Sequence, residues 1–119
     1  DLDNFSPPDP EEINYDIVDF AVKDAKKGDY PVIGSIHLAG MFPYLMMGGL
    51  DKFSINLYTQ PKFVEKLTRL VGDTQIKIAK NILDRGVDII AETDDISGSD
   101  GPFWPPNIMK KYIWPATKK

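Results

Sequence analysis

The chain has 119 residues, enough for one domain and too few for two. Its net charge of −4 and pI near 4.9 argue against non-specific nucleic-acid binding and against an anionic membrane surface. Cysteine is absent, which excludes disulfides and thiolate zinc sites within the chain, and no apolar run approaches the ~18–20 residues of a membrane span.

Residues 1–9, "DLDNFSPPD", are polar and Pro-rich. They read as an irregular arm, or as a start inside a longer protein. No basic-apolar-small leader opens the chain, and a cytoplasmic home is the expectation. Asp9-Pro10 predicts a helix start, with Asp9 as N-cap, Pro10 at the first helical position and Glu12 at N3. Ile13, Ile17, Phe20, Ala21 and Ala25 follow at helical spacing, and Gly28 closes the helix after Lys26 and Lys27. Val32–Ile36 reads as a strand apolar on both faces, as in a parallel sheet covered on both sides. "MFPYLMMGG" predicts a short helix stopped by Gly48-Gly49, and "LDKFSINLY" another, capped by Asp51.

The clearest helix runs from Pro61 to about Gly86. Phe63, Leu67, Leu70, Val71, Thr74, Ile78 and Ile82 form its apolar stripe. Gly72 inside it costs ~1 kcal/mol relative to Ala, so a close helix contact is expected there. Val87–Ala91 is a second β-branched strand, followed by the acidic loop Glu92–Pro106. A helix led by Pro105-Pro106, with Ile108, Met109 and Tyr112 on its apolar side, ends the chain.

Strand then helix, twice, with about 50 residues between strands, is the pattern of parallel β/α units. Two strands cannot make a sheet that buries both faces, and a closed (β/α)8 barrel needs ~250 residues. The expected fold is therefore α/β, a partial (β/α)8 TIM barrel. It has about two βα units with extra short helices, over residues 10–119, and is a fragment of a larger barrel.

In such barrels the active site lies at the C-terminal ends of the strands. Two loops occupy that place, His37–Tyr44 and Glu92–Pro106. Asp94 and Asp95 are the candidate catalytic carboxylates, as general base, orienting group or hard-metal ligand. The plain alternative is turn chemistry, since Asp and Ser bond their own backbone in loops. Successive side chains on an extended segment diverge, so at most one of the pair faces a given ligand atom, and Asp94 is the first choice. His37, the only histidine, is an acid, base or ligand, or else a hydrogen-bonded strand-end residue. Tyr44 is a polar handle within the apolar wall of Met41, Phe42, Leu45, Met46 and Met47. Phe103 and Trp104, beside Gly98 and Gly101, read as a lid over the mouth or as anchors for the next helix. No P-loop, GxGxxG or GxSxG is present, and the only arginines are Arg69 and Arg85, both in the long helix.

"PVIGSIHLAGMFPYLMMGG", "LYTQPKFVEKLTRLVGD" and "GVDIIAETDDISGSDGPFWPPNIMKKYIWP" resemble, in order, the middle of the uroporphyrinogen decarboxylase superfamily. That superfamily holds tetrapyrrole decarboxylases and corrinoid-dependent methyltransferases. The resemblance covers about Pro31 to Lys119 and implies roughly one third of a (β/α)8 barrel. It places Tyr44, with one residue gapped, on a substrate-contacting tyrosine. It places Thr93 or Asp94 on a substrate-contacting serine, which this chain replaces. The "DD…G…GP…P" pattern is closer to the methyltransferase-type paralogues. Their zinc ligands lie on parts outside this chain, so the resemblance assigns no metal or cofactor within it; corrinoid and zinc belong to the whole protein. The implied partners are a methylated small molecule or a tetrapyrrole and a corrinoid protein. Separately, the exposed edges of an incomplete sheet invite association with a second copy, and a non-catalytic chain that folds only by such pairing is the alternative. Nucleic acid and membrane are not expected.

Overall fold

The computed structural model describes residues 2–119. Asp9 caps as expected, its side chain accepting from the Glu11 N–H, but the turn it starts is a 3-10 turn of three residues, Pro10–Glu12. The expected single helix is broken there. Asn14 accepts from the Asp16 N–H at 2.7 Å, and the Tyr15 hydroxyl donates to the Pro10 carbonyl at 2.8 Å. Helix α1 then spans Asp16–Gly28. Its apolar stripe is also corrected: Ile17 and Phe20 are 78% and 68% exposed, while Val22 is buried and Val18 packs beside it. Two apolar rows at helical spacing run along this helix, and only one can face the core.

Strand β1 (Ile33–Ile36) and strand β2 (Ile89–Glu92) pair in parallel, Ile33 opposite Ile89 through Ile36 opposite Glu92. Asp88 extends the pairing, its carboxylate accepting from the Val32 N–H at 2.8 Å. Between the strands lie α2 (Phe42–Met46), α3 (Leu50–Thr59) and α4 (Pro61–Asp84). Gly49, not Asp51, holds the N-cap position of α3; Asp51 sits in the first turn, where its charge suits the helix dipole.

Helix α4 is the spine of the fold. Val64, Leu67, Thr68, Val71, Gly72, Ala79 and Ile82 are its buried residues, whereas the expected Phe63, Leu70, Thr74 and Ile78 are only half-buried. Its buried side is broad because it meets the sheet, α3 and the C-terminal helix. That last helix is made of α5 (Pro106–Ile108), a π turn over Met109–Ile113, and α6 (Trp114–Thr117). The π turn precedes Pro115, whose ring would strike the Lys111 carbonyl in a regular α register. The close contact expected at Gly72 is present: a Cβ there would stand 2.7 Å from the Ala116 Cβ.

The sheet is covered on one face only, not both. Ile36 is buried against Ala79, Ile82 and Ala116, while Ile33 and Ile89 on the other face are 60% and 50% exposed. The molecule is a slab of 52 × 37 × 23 Å with a radius of gyration of 16.1 Å, against about 13.5 Å for a compact domain of this length. Its accessible surface of 7756 Å² exceeds the roughly 6,500 Å² of a compact monomer of this mass. The fold shown is mixed α/β, mostly helical, with two small sheets and no closed barrel.

Candidate functional site

The second small sheet lies in the acidic loop. Strands β3 (Ser97–Gly98) and β4 (Gly101–Pro102) form an antiparallel hairpin turned by Ser99 and Asp100. The hairpin delivers Phe103 and Trp104 to the second core cluster, with Phe53, Tyr44 and Ile113. Trp104 is 4% exposed, its ring lies 5.2 Å from that of Phe53, and its N–H donates to the Ser54 hydroxyl at 2.9 Å. Its ring and its donor are both committed to protein, so Trp104 anchors the loop and is not available to a ligand at the mouth. Phe103 is half-buried, edge-on to Trp104.

Ser35, His37 and Thr93 meet where β1 and β2 end. The Thr93 hydroxyl donates to the Ile36 carbonyl at 3.2 Å and lies 2.8 Å from the Ser35 hydroxyl, from which it then accepts. The Nδ1 of His37 lies 2.9 Å from the Thr93 carbonyl oxygen. A carbonyl only accepts, so the hydrogen-bond network assigns a proton to Nδ1, and in the neutral ring Nε2 is then the acceptor nitrogen. Phe42 packs edge-on against the imidazole, fixing its plane.

Asp94 turns inward from the same segment. Its side chain is 2% exposed, and its Oδ2 accepts from the Gly40 N–H at 2.6 Å. The Leu38 and Met41 N–H groups also act on this carboxylate. Asp94 thus ties the loop after β1 to the loop after β2. Glycine at 40 is required for this, because a Cβ there would stand 2.6 Å from the Asp94 carboxylate. The other oxygen, Oδ1, is buried without a hydrogen-bond partner and lies 4.0 Å from His37 Nδ1.

Burial pushes the Asp94 carboxyl above the usual carboxylate range, and the backbone N–H groups and His37 oppose it. Glu92 is also raised, by burial first; the Thr117 hydroxyl, 3.0 Å from Oε1, opposes this, and Asp94 adds to it. Burial likewise raises the Tyr44 phenol, with Asp95 and then Asp94 contributing. Asp95 itself is exposed, so the two aspartates do diverge. Tyr44 is buried, its ring 6.4 Å from that of Trp104.

The strand ends therefore bring together His37, Thr93 and Asp94, and the charges of Asp95 and Asp94 reach the Tyr44 phenol. Asp95 stands at their rim, while Phe103 and Trp104 serve the core behind them. Ser35 and Glu92 belong to this group and went unassigned in the sequence reading. The signal for Ser35 was available: it is the one hydrogen-bonding side chain in the otherwise apolar "VIGSI". A cleft of about 640 Å³ lies elsewhere, along α1 at Ile17, Phe20 and Tyr30.

The class these features define is a mixed α/β chain with a polar, acidic group at the C-terminal ends of two parallel strands. No helix among the described residues is long and apolar enough to cross a membrane. No family model matches the sequence, and no curated protein matches it.

Proposed function

We propose that the chain forms two βα units of a larger (β/α)8 barrel of the uroporphyrinogen decarboxylase superfamily, and one wall of that barrel's substrate mouth. One observation carries this reading: the parallel β1–β2 pair has helices on one face, an open apolar face opposite, and Ser35, His37 and Thr93 at its C-terminal end. A barrel interior has apolar side chains along its strands and its chemistry at their C-terminal ends. The excess surface of the slab also fits a body that further strands would cover.

Of the family's two branches, we favour the corrinoid-dependent methyltransferase type. Glu92, Asp94 and Asp95 crowd the strand ends, and His37 is the one basic side chain acting on Asp94. Arg69 pairs with Glu65 and Arg85 with Asp19. A carboxylate-bearing tetrapyrrole would meet repulsion at this wall, and a neutral methylated compound would not. Zinc does not fit this chain's residues: among those described, no three His, Asp or Glu side chains converge on one point. Zinc and the corrinoid would be held by the rest of the barrel or by a corrinoid protein, in the cytoplasm.

The test uses the whole protein with methylcob(III)alamin or cob(I)alamin and a panel of methyl acceptors and donors, followed by the corrinoid absorbance. Spectral turnover is expected. No turnover with any compound, together with decarboxylation of uroporphyrinogen, would move the protein to the other branch; neither activity would remove both.

A second reading has its own observation. Ile33 and Ile89, on the open face of the sheet, are 60% and 50% exposed. A non-catalytic chain that associates through its sheet edge and open face would need such a surface.

A further inference from the structure

We propose that His37 is a proton-accepting catalytic base of the open face, with Nε2 as the acceptor and Asp94 Oδ1 as the buried counter-charge that receives the imidazolium. Three independent features support this. The Thr93 carbonyl fixes the proton on Nδ1, so the imidazole offers a lone pair and not an N–H at Nε2. The side chain of His37 is 31% exposed while that of Asp94 is 2% exposed, so one partner can meet a substrate and the other cannot. Asp94 Oδ1 is a buried acceptor with no partner, 4.0 Å from Nδ1. Such an orphan carries a desolvation cost, which a nearby positive charge would offset.

The substrate's X–H bond breaks and an Nε2–H bond forms, leaving X⁻ and an imidazolium. The Nδ1–H stays covalently attached and moves its hydrogen bond from the Thr93 carbonyl toward Asp94 Oδ1. Asp94 remains a carboxylate throughout and is a positioning residue, not a proton carrier. The groups around this pair are Glu92, Asp95 and Tyr44, all neutral or negative. They disfavour a substrate that is already anionic, so the X–H compound is neutral, and the charge that X gains is offset by the adjacent imidazolium. This inference does not depend on the barrel reading above; it requires only the geometry of β1, β2 and their loops.

Because His37 is the only histidine, one imidazole gives the whole signal. Histidine ¹H–¹⁵N correlation spectra of the full chain should show the Nδ1–H tautomer in the neutral ring. In the charged ring, the Nδ1 proton should move downfield. Asp94→Asn should abolish that downfield movement. It should also slow carbethoxylation of Nε2 by diethylpyrocarbonate several-fold, while Asp100→Asn, which removes the same charge from the hairpin turn, should leave both unchanged. An Nε2–H tautomer in the wild type would overturn the proposal even if Asp94→Asn failed to fold. So would spectra and modification rates that are the same in the wild type and a folded Asp94→Asn variant.

Discussion

The two faces of the β1–β2 sheet differ in burial. On the covered face, Ile36 lies at 7% exposure under α4 and α6, in a cluster with Ala79, Ile82 and Ala116. On the open face, Ile33 and Ile89 keep half or more of their surface. Residues of the same type in the same strand thus do different work. The covered face holds this chain together, and the open face leaves apolar side chains in water. The strand ends show the same division. Asp94 is buried and joins the two loops, whereas Ser35 and Thr93 are exposed and the His37 side chain is 31% exposed.

That contrast can be broken by substitution. The largest effect is expected from Ile36→Ala, a loss of ~2–5 kcal/mol of stability for an aliphatic side chain removed from a packed site. Ile33→Ala should cost under about 1 kcal/mol, because most of that side chain is already in water. Urea unfolding of both variants checks the pair, and equal losses would mean that the open face is covered within the chain itself. Behind the covered face, Gly72→Ala should cost ~1–3 kcal/mol, as its methyl would press on the Ala116 Cβ, 2.7 Å away. Thermal unfolding reads this, and an unchanged midpoint would mean that α6 can shift without loss.

The smallest effect is electrostatic. The folded Asp94 carboxyl holds its proton more tightly than its ordinary value of 3.8, through burial first. Its contribution to stability is therefore fully present below pH 3.8 and is lost as pH rises through its raised folded value. Glu92 behaves in the same direction. The stability of Asp94→Asn minus that of the wild type should accordingly rise with pH over that window. Parallel curves in urea titrations across pH would show that Asp94 does not sense its burial.

Much of this contrast could be read in the sequence, through features that act locally. Asp9 before a proline, the glycines after Met47 and the long periodic stretch after Pro61 each act within a few residues. Chain neighbours therefore suffice to place them. Gly72 was legible for a different reason: a glycine inside a strong helix costs stability, so it implies a neighbour too close for a side chain. What could not be read were choices made by distant partners. Helix α1 carries two apolar rows, and only its packing against α4 decides between Val22 and the pair Ile17 and Phe20. The strands are apolar on both sides, a pattern that does not say which side has a cover.

Asp94 is the clearest case at the site. Its place two residues past β2 suggested a ligand-facing carboxylate, but the orientation depends on the Gly40 N–H, 54 positions earlier in the chain. Trp104 was read as lid or anchor, and Ser54 on α3 decides for anchor. The hairpin at 97–102 was hidden because its strands are two residues each, too short for any period to register.

The reading of the open face as one that further strands cover is tested most directly by sedimentation of these 119 residues over a range of concentrations. Reversible self-association is expected, and Ile33→Asp with Ile89→Asp should abolish it without unfolding the chain. A monomer at every concentration, with a sharp cooperative melt and no change on those two substitutions, would contradict it.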